Sequence, residues 1–266
     1  RTSRLPVVGQ IRIGEKNERG FPFTTDTFRL TSQNRDLLEE AKTIYGGEVS
    51  EWPSVPNSFI LRTNTRTLKA IFNLTPTMGG DCQSMRTYYE KHTLAGMERR
   101  CDGQQCELRK DKTASMVPCL CGEDVGTDPK QFCSLVVRVS VVLPQLQTSG
   151  NWVLATHSAN FLDEWTAFAD MCRQLVATPL IPVLLQMTSR ESKMPGEKPK
   201  QFTVVSPMVD PDPVSPGEFL QSLANKLQGP GAVLPTQSAP ALETRPPETD
   251  DDDINAVDEP APPQVA

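Results

Sequence analysis

The stretch from Cys101 to Cys133 constrains this chain more than any other, because it holds five of the seven cysteines. It reads C-D-G-Q-Q-C, then P-C-L-C-G, and then Q-F-C. The residues at about 96–131 are too polar to order themselves by burial alone, whereas metal coordination can order such a segment. The sequence therefore predicts a metal-ordered loop at about 96–135, inserted into a larger body.

Four of these cysteines are the predicted ligands of one tetrahedral, structural Zn²⁺, since four thiolates leave no position for water or substrate. The predicted ligands are Cys101, Cys119, Cys121 and Cys133. Cys106 is a spare, or a substitute for one of them. The C-x17-C-x-C-x11-C spacing differs from paired C-x2-C knuckles, so ordinary buried cysteines remain the alternative. Pro118 and Gly122, which flank the C-x-C, favour a polar, turn-rich loop and hence the metal.

A catalytic zinc would need a different ligand set and an open coordination position. The two histidines are His92 and His157. His92 precedes Cys101 by nine positions and is a possible ligand, although a surface role is the simpler interpretation. His157 lies at a predicted strand-to-helix junction, and no nucleophile with a paired acid marks it as a base. The chain contains no phosphate-binding glycine motif, so we expect a protein that is not an enzyme.

The charge of the chain is divided unevenly along its length. Residues 1–206 carry 25 Lys and Arg against 22 Asp and Glu, whereas residues 207–266 carry 2 against 11. A body so close to neutral does not favour a dedicated nucleic-acid binder, although a local basic patch is compatible with it. No apolar run approaches the roughly 20 residues of a membrane span, so no membrane contact is expected. A soluble chain in a reducing compartment favours metal over disulfides for clustered thiols.

Hydrophobic periodicity predicts an α+β fold with a mainly antiparallel sheet and two main amphipathic helices. One helix begins after Ser32 or Asn34 and ends at Gly46 and Gly47, and its apolar residues Leu37, Leu38, Ala41, Ile44 and Tyr45 fall on one face; the other helix covers 159–177. The extended segments are 5–13, 26–31, 59–63, 67–72, 135–143, 150–156, 181–189 and 200–208. We expect 59–63 with 67–72, and 181–189 with 200–208, to form hairpins. The segments 135–143 and 150–156 are expected to form a central antiparallel pair, and 85–90 fits strand or short helix.

These patterns divide the chain into three parts. Residues 1–208 form the α+β body, with the zinc loop inside it. Residues 209–227 are a linker with a short amphipathic helix, whose apolar face comprises Phe219, Leu220, Leu223 and Leu227. Residues 228–266 are rich in Pro, Ala and acid, which predicts a disordered tail.

Two surfaces are candidates for partner binding. The basic residues around the cysteines, Arg99 and Arg100 first among them, either offset the negative charge of a tetrathiolate zinc site or contact phosphates or an acidic partner. Phe219, Leu220 and Leu223 either dock on the body or bind a groove in a partner.

Several short motifs in this order resemble the recombination directionality factors that actinobacterial phages encode for large serine integrases. The residues that carry the resemblance are I-R-I-G at 11–14, D-T-F-R-L-T-S at 26–32, Y-G-G at 45–47, E-R-R-C-D-G at 98–103, P-C-L-C at 118–121, L-P at 143–144 and G-N-W-V-L-A-T at 150–156. They cover most of the predicted body. The chain departs from the pattern at Lys91-His92-Thr93 and at 134–137, where the family favours a tryptophan and a Pro-Thr-rich stretch.

The resemblance implies a zinc-containing protein that is not an enzyme and works in the cytoplasm of the bacterial host. Such a protein binds its cognate serine integrase directly, reaches DNA through the integrase complex, and switches the integrase from integration to excision of the prophage. The alternative from a different class is a zinc-containing phage DNA-replication or single-stranded-DNA-binding accessory protein. Salt-sensitive binding to single strands would distinguish it.

Overall fold

The computed structural model describes residues 5–16, 22–53, 55–77, 82–93, 96–102, 105–110, 113–119, 133–146, 148, 150–175, 178–192 and 200–213. The predicted helix at 217–227 and the predicted disordered tail lie outside these residues. What is described is an α+β fold made mainly of β-strands.

The described residues contain a ten-stranded sheet, a three-stranded sheet and two helices. The strands are β1 (Val7–Lys16), β2 (Pro22–Ser32), β3 (Glu48–Glu51), β4 (Phe59–Arg62), β5 (Thr67–Asn73), β6 (Met85–Thr93), β7 (Gly96–Cys101), β8 (Gln105–Lys110), β9 (Thr113–Pro118), β10 (Ser134–Val141), β11 (Asn151–Thr156), β12 (Leu180–Ser192) and β13 (Lys200–Val209). The helices are α1 (Arg35–Tyr45) and α2 (Ala159–Leu175). The large sheet has the order β3-β4-β2-β1-β11-β10-β6-β7-β8-β9, and the small one has the order β13-β12-β5.

Helix α1 begins and ends where the sequence predicts. Asn34 caps it, because the Asn34 side chain accepts a hydrogen bond from the Leu37 N–H at 3.2 Å. The chain leaves the helix through Gly47, whose φ is 94° and whose added Cβ would lie 1.8 Å from the Arg62 carbonyl oxygen. Ile44, which the sequence places on the apolar face of the helix, lies at the margin of that face in the last turn and is 37% exposed.

Helix α2 packs its aromatic stripe against the three-stranded sheet, as the pattern predicts. The Trp165 ring lies 5.3 Å from that of Phe72 on β5 and 5.4 Å from that of Phe161. Its indole N–H donates to the Val205 carbonyl at 3.2 Å, so the one polar atom of this buried ring is satisfied. Each such fully buried side chain contributes roughly 1.5–3 kcal/mol to stability.

The predicted hairpin between 59–63 and 67–72 is wrong. β4 pairs with β2 and β3 in the large sheet, whereas β5 pairs with β12 in the small one. The chain changes sheets after Thr63, which donates its backbone N–H and its hydroxyl to the Phe28 carbonyl. The alternation of apolar residues gives the face of each strand but not its partner, so two consecutive strands were assigned to each other. The predicted pairs β10 with β11 and β12 with β13 are confirmed.

The segment predicted as a polar loop contains strands. β7, β8 and β9 form a three-stranded antiparallel meander that continues the large sheet from β6, and we call it the β-arm. Its backbone groups are satisfied by the ladder, so polar composition did not prevent regular structure. The segment at 85–90, which fits strand or helix by sequence, is part of strand β6.

The large sheet has one apolar and one polar face. The apolar face contributes Ile11, Leu30, Leu61, Val139 and Leu154 to the main core, which the small sheet and both helices cover. Because successive side chains of a strand point to opposite faces, the residues between these lie on the other side.

Candidate functional site

Cysteine side chains form a small core of their own in the β-arm. Cys101 on β7 lies directly opposite Cys106 on β8, and with Cys133 they form a cluster in which each is at most 2% exposed. Cys119 packs against it, as do Tyr89, Leu108 and Val117. This group, Cys101, Cys106, Cys119 and Cys133, is called the thiol cluster below.

The turn between β7 and β8 explains why Cys101 and Cys106 face each other. The Asp102 side chain accepts a hydrogen bond from the Gln105 N–H at 2.8 Å, and the Asp102 N–H donates to the Gln105 carbonyl. An aspartate that bonds the backbone in this way is a common means of closing a tight turn. It sets the register, which places both thiols on one face of the hairpin.

The thiol cluster contains three of the four predicted zinc ligands, Cys101, Cys119 and Cys133, whereas Cys121 lies outside the described residues. Cys106, predicted as a spare or a substitute, belongs to it as well. In the described part of the chain, no group of three or more His, Cys, Asp or Glu side chains is arranged to hold a metal ion. The donors nonetheless have the chemistry that zinc prefers, since they are three buried thiols, Cys101, Cys106 and Cys133, and one partly buried thiol, Cys119.

Each of the two histidines makes a contact outside the thiol cluster. His92 points to the opposite face of β6, where its Nε2 is 3.2 Å from the Glu90 carboxylate. The Nδ1 atom of His157 lies 2.8 Å from the Leu135 carbonyl oxygen, at the junction that leads into α2.

A buried carboxylate occupies the other side of the same strands. Glu90 on β6 has a side chain that is 0% exposed, 2.6 Å from Arg100 Nε and 3.3 Å from Arg138 Nη2. Burial by itself would raise the pKa of Glu90, but the hydrogen bond with His92 and the charges of Arg138 and Arg100 outweigh it and lower the pKa to about 2. Glu90 is therefore ionised at neutral pH and holds two guanidinium groups in place.

A tyrosine extends this charged group. The Arg100 guanidinium lies 4.9 Å from the centre of the Tyr88 ring, and Arg86 donates to the Tyr88 hydroxyl at 3.4 Å. Cation–π contact of this kind fixes both partners. Arg99, which the sequence pairs with Arg100 as a partner-binding residue, alternates to the thiol side of β7, so the structure separates the two.

A second, partly buried carboxylate organises the other end of the polar face. Glu15 on β1 bonds Arg29 on β2 and Arg62 on β4, the latter at 3.0 Å. Next to them the Arg12 guanidinium lies 4.3 Å from the centre of the Trp52 ring, and the Arg12 side chain is buried.

Sequence reasoning missed Glu90, Arg138 and Glu15, although a signal was present. Arg138 interrupts a run of valines in β10, and a charged residue within a buried strand usually has a partner of opposite charge. The partner lies 48 positions away in the sequence, so the strand order was needed to find it.

A family model described as Gp3-like, recombination directionality factor-like, matches residues 8–211. No curated protein and no solved structure matches the chain. The matched residues begin in β1 and end just beyond β13, so they include both sheets, the thiol cluster and the polar face. The family match therefore places the chain in the class of recombination directionality factor-like proteins. The chain belongs to the Gp3-like, recombination directionality factor-like family of phage proteins.

Within the described residues, no helix is both long enough and apolar enough to cross a membrane.

Proposed function

We propose that this protein is a recombination directionality factor that binds a phage serine integrase and switches it from integration to excision. The observation that carries the proposal is the family match, which spans the whole described body. We further propose that it acts by binding and performs no catalysis.

Such a switch requires only a difference in affinity. An integrase bound to the recombined sites populates an inactive and an active arrangement, and a factor that bound both equally would shift nothing. A preference of about 5.5 kcal/mol moves an equilibrium from 1:99 to 99:1. A broad, rigid, two-sheet body is suited to holding one arrangement of a larger partner.

We also propose that the thiol cluster binds a structural Zn²⁺ through Cys101, Cys119, Cys121 and Cys133, with Cys106 as the alternative to one of them. Buried thiols gathered from β7, β8 and the segment before β10 support this assignment. The ion would supply no reaction step; it would join the β-arm to the start of β10. Arg99, on the same side of β7, would offset part of the charge of four thiolates.

The test of the main proposal is a pull-down with the integrase encoded beside this protein, in nuclease-treated buffer. We expect a stable complex without DNA. In a recombination assay the factor should promote excision from the recombined sites and inhibit integration. Failure to bind that integrase, together with unchanged direction of recombination, would reject the proposal.

A further inference from the structure

Strand β9 forms the outer edge of the β-arm. It pairs with β8 on one side and is the last strand of the large sheet, so no strand of the described residues lies on its other side. Met116, near the middle of β9, is 63% exposed. A free edge of this kind carries backbone donors and acceptors that can pair with a strand of another chain.

Strand β9 lacks the features that keep two other edges of the sheets from pairing. It reads T-A-S-M-V-P, with no charged residue and with its proline at the last position. Its six consecutive pairs with β8 keep one register, so no bulge turns the edge away. By contrast, edge strand β3 has four residues with a glutamate at each end, and edge strand β13 contains Lys200 and Pro207. Short length, charge and internal proline all oppose pairing with another chain, so β9 is the least protected of these three edges.

The hydrogen bonds of the β-arm fix the direction in which the backbone groups of β9 point. Asp102 on the β7 side donates its N–H to the Gln105 carbonyl, so the backbone groups of Gln105 point towards β7. Backbone groups alternate in direction along a strand, so those of the next residue, Cys106, point towards β9. Val117 lies opposite Cys106, and its own backbone groups therefore face β8.

The same alternation along β9 identifies its outward groups. Ser115, two positions before Val117, also faces β8, whereas Ala114, Met116 and Pro118 face outward. Proline has no N–H, so an outward position for Pro118 removes no bond to β8. The free edge therefore offers the N–H groups of Ala114 and Met116 and the carbonyl groups of all three outward residues.

These outward groups fit a second copy of the same strand. In an antiparallel pair with Ser115 of one copy opposite Ser115 of the other, Ala114 of each copy lies opposite Met116 of the other. Both of these are hydrogen-bonded pairs, so the two copies would share about four backbone hydrogen bonds. The register also sets the long Met116 opposite a small residue, and Thr113 opposite Val117, two β-branched residues that suit a strand. No like charges face each other in this pairing.

We propose that β9 joins two copies of this protein into a symmetric dimer, in which the two large sheets continue into each other. A two-fold dimer that uses the same surface on both copies is the commonest closed assembly of identical chains. The uncharged edge favours a second copy over a charged segment of another protein, because the register leaves no charge to be compensated. The contact is small, so we expect association that depends on protein concentration. The proposal concerns assembly alone and does not rest on the proposed function.

The test is analytical ultracentrifugation of the full chain between about 1 μM and about 1 mM protein, the range of weak association. Met116→Pro removes an outward N–H and leaves the bonds between β8 and β9 in place. Met116→Lys adds a charge to the edge. The matched control is Met208→Lys, the same substitution at an exposed methionine of edge strand β13.

We expect the mass of the wild-type protein to increase from one chain to two over this range. Met116→Pro should weaken the dimer on the order of tenfold or more, because it removes two of the four shared hydrogen bonds. Met116→Lys should weaken it by about tenfold at low salt and less at high salt, since salt screens the repulsion between the two added charges. Met208→Lys should stay within about twofold of wild type.

Residue-resolved hydrogen exchange locates the contact and checks the fold. The Ala114 and Met116 amides should exchange slowly at concentrations that favour the dimer and fast in the monomer, because they face outward. The Ser115 and Val117 amides face β8 and should stay protected in both states. Their protection in Met116→Pro would show that the β-arm of this variant is still folded.

Three results would overturn the proposal. They are a single-chain mass at every concentration, a dimer that both Met116 variants leave unchanged, and protection of the Ala114 and Met116 amides that appears only when integrase is added. The last result would assign the edge to a strand of the integrase instead of a second copy. The integrase pull-down is independent of this experiment, so a monomer that binds integrase would retain the proposed function and lose only this inference.

Discussion

The two sides of strands β6 and β7 differ in how their buried groups are stabilised. On one side Glu90, Arg100 and Arg138 satisfy one another by ion pairs between protein groups. On the other side, one residue along each strand, Cys101 belongs to the thiol cluster and Tyr89 packs against it. The charged side is held by these ion pairs, whereas gathered thiols are a common protein contribution to a metal site. The same pair of strands therefore carries a buried ion-pair group on one face and the thiols of the proposed metal site on the other.

The largest expected effect is on the thiol side. Structural zinc contributes roughly 10–16 kcal/mol of binding free energy in small zinc domains. We therefore expect one zinc per chain, and expect Cys133→Ser to lose the zinc and the protection of the β-arm amides from hydrogen exchange. Metal analysis and exchange mass spectrometry measure these two quantities.

Cys172→Ser is the matched control for that experiment, because Cys172 is a buried thiol in the main core on α2. It should lower stability without changing the zinc content. Comparison of Cys106→Ser with Cys119→Ser then identifies the fourth ligand. Wild-type protein without bound metal, or a Cys133→Ser protein with full zinc content, would contradict the assignment.

The next effect in size is on the charged side. Glu90→Gln leaves two largely buried guanidinium groups without their carboxylate, and removal of one partner from a buried ion pair typically costs about 3–5 kcal/mol. Urea denaturation should show this loss of unfolding free energy. Glu164→Gln is the control, because its pair with Arg190 at 3.0 Å lies at the surface and should contribute less than about 1 kcal/mol. Equal losses in the two variants would contradict the distinction between buried and exposed pairs.

Acid should lower the stability that the charged side contributes. The pKa of Glu90 falls from 4.5 to about 2 on folding, so its stabilisation is complete above pH 4.5 and is lost as the pH decreases towards 2. The loss from this group is up to about 3 kcal/mol. Denaturation curves between these pH values should show the decrease in wild type and a weaker dependence in Glu90→Gln. A parallel pH dependence in the two proteins would show that Glu90 is not the group responsible.

The smallest expected effect is that of Tyr88→Phe. The substitution removes the hydroxyl that accepts the Arg86 hydrogen bond and keeps the ring beside Arg100. A partly exposed hydrogen bond contributes about 0.5–1.5 kcal/mol, so a stability change at or below this range is expected in thermal unfolding. A larger change would mean that Tyr88 organises the charged side more strongly than its contacts indicate.

Local patterns in the sequence predicted the elements that local forces determine. The Asn34 cap and the Trp165 stripe gave the two helices. The valine-rich run at 135–143 gave the pair β10 with β11, and the polar turn before 200 gave the pair β12 with β13. The hairpin between β4 and β5 was predicted wrongly, because pairing between strands distant in sequence depends on register and not on periodicity.

The cysteines were found by composition, but the arginines that share the polar face of the large sheet were not. Averaged over the body, positive and negative charges nearly cancel, which argued against nucleic acid. The fold sorts these charges by side, since Arg12, Arg29, Arg62, Arg86 and Arg138 come from five strands of one face. No linear window of the sequence contains that information. The zinc ligands remain a prediction, which the gathered thiols of the described residues support by their residue type.

The parallel pairing of β1 with β11 has a consequence for how the protein is made. β1 can pair with β2 as soon as both have left the ribosome, but its other edge must wait until residues 151–156 are synthesised. At about 5–20 residues per second, a delay on the order of ten seconds separates the two events. During that interval the nascent chain presents an open strand edge at Ile11, and host chaperones that bind exposed strands have time to act on it. Translation speed should therefore influence the yield of folded protein more than it would for a fold built from neighbouring hairpins.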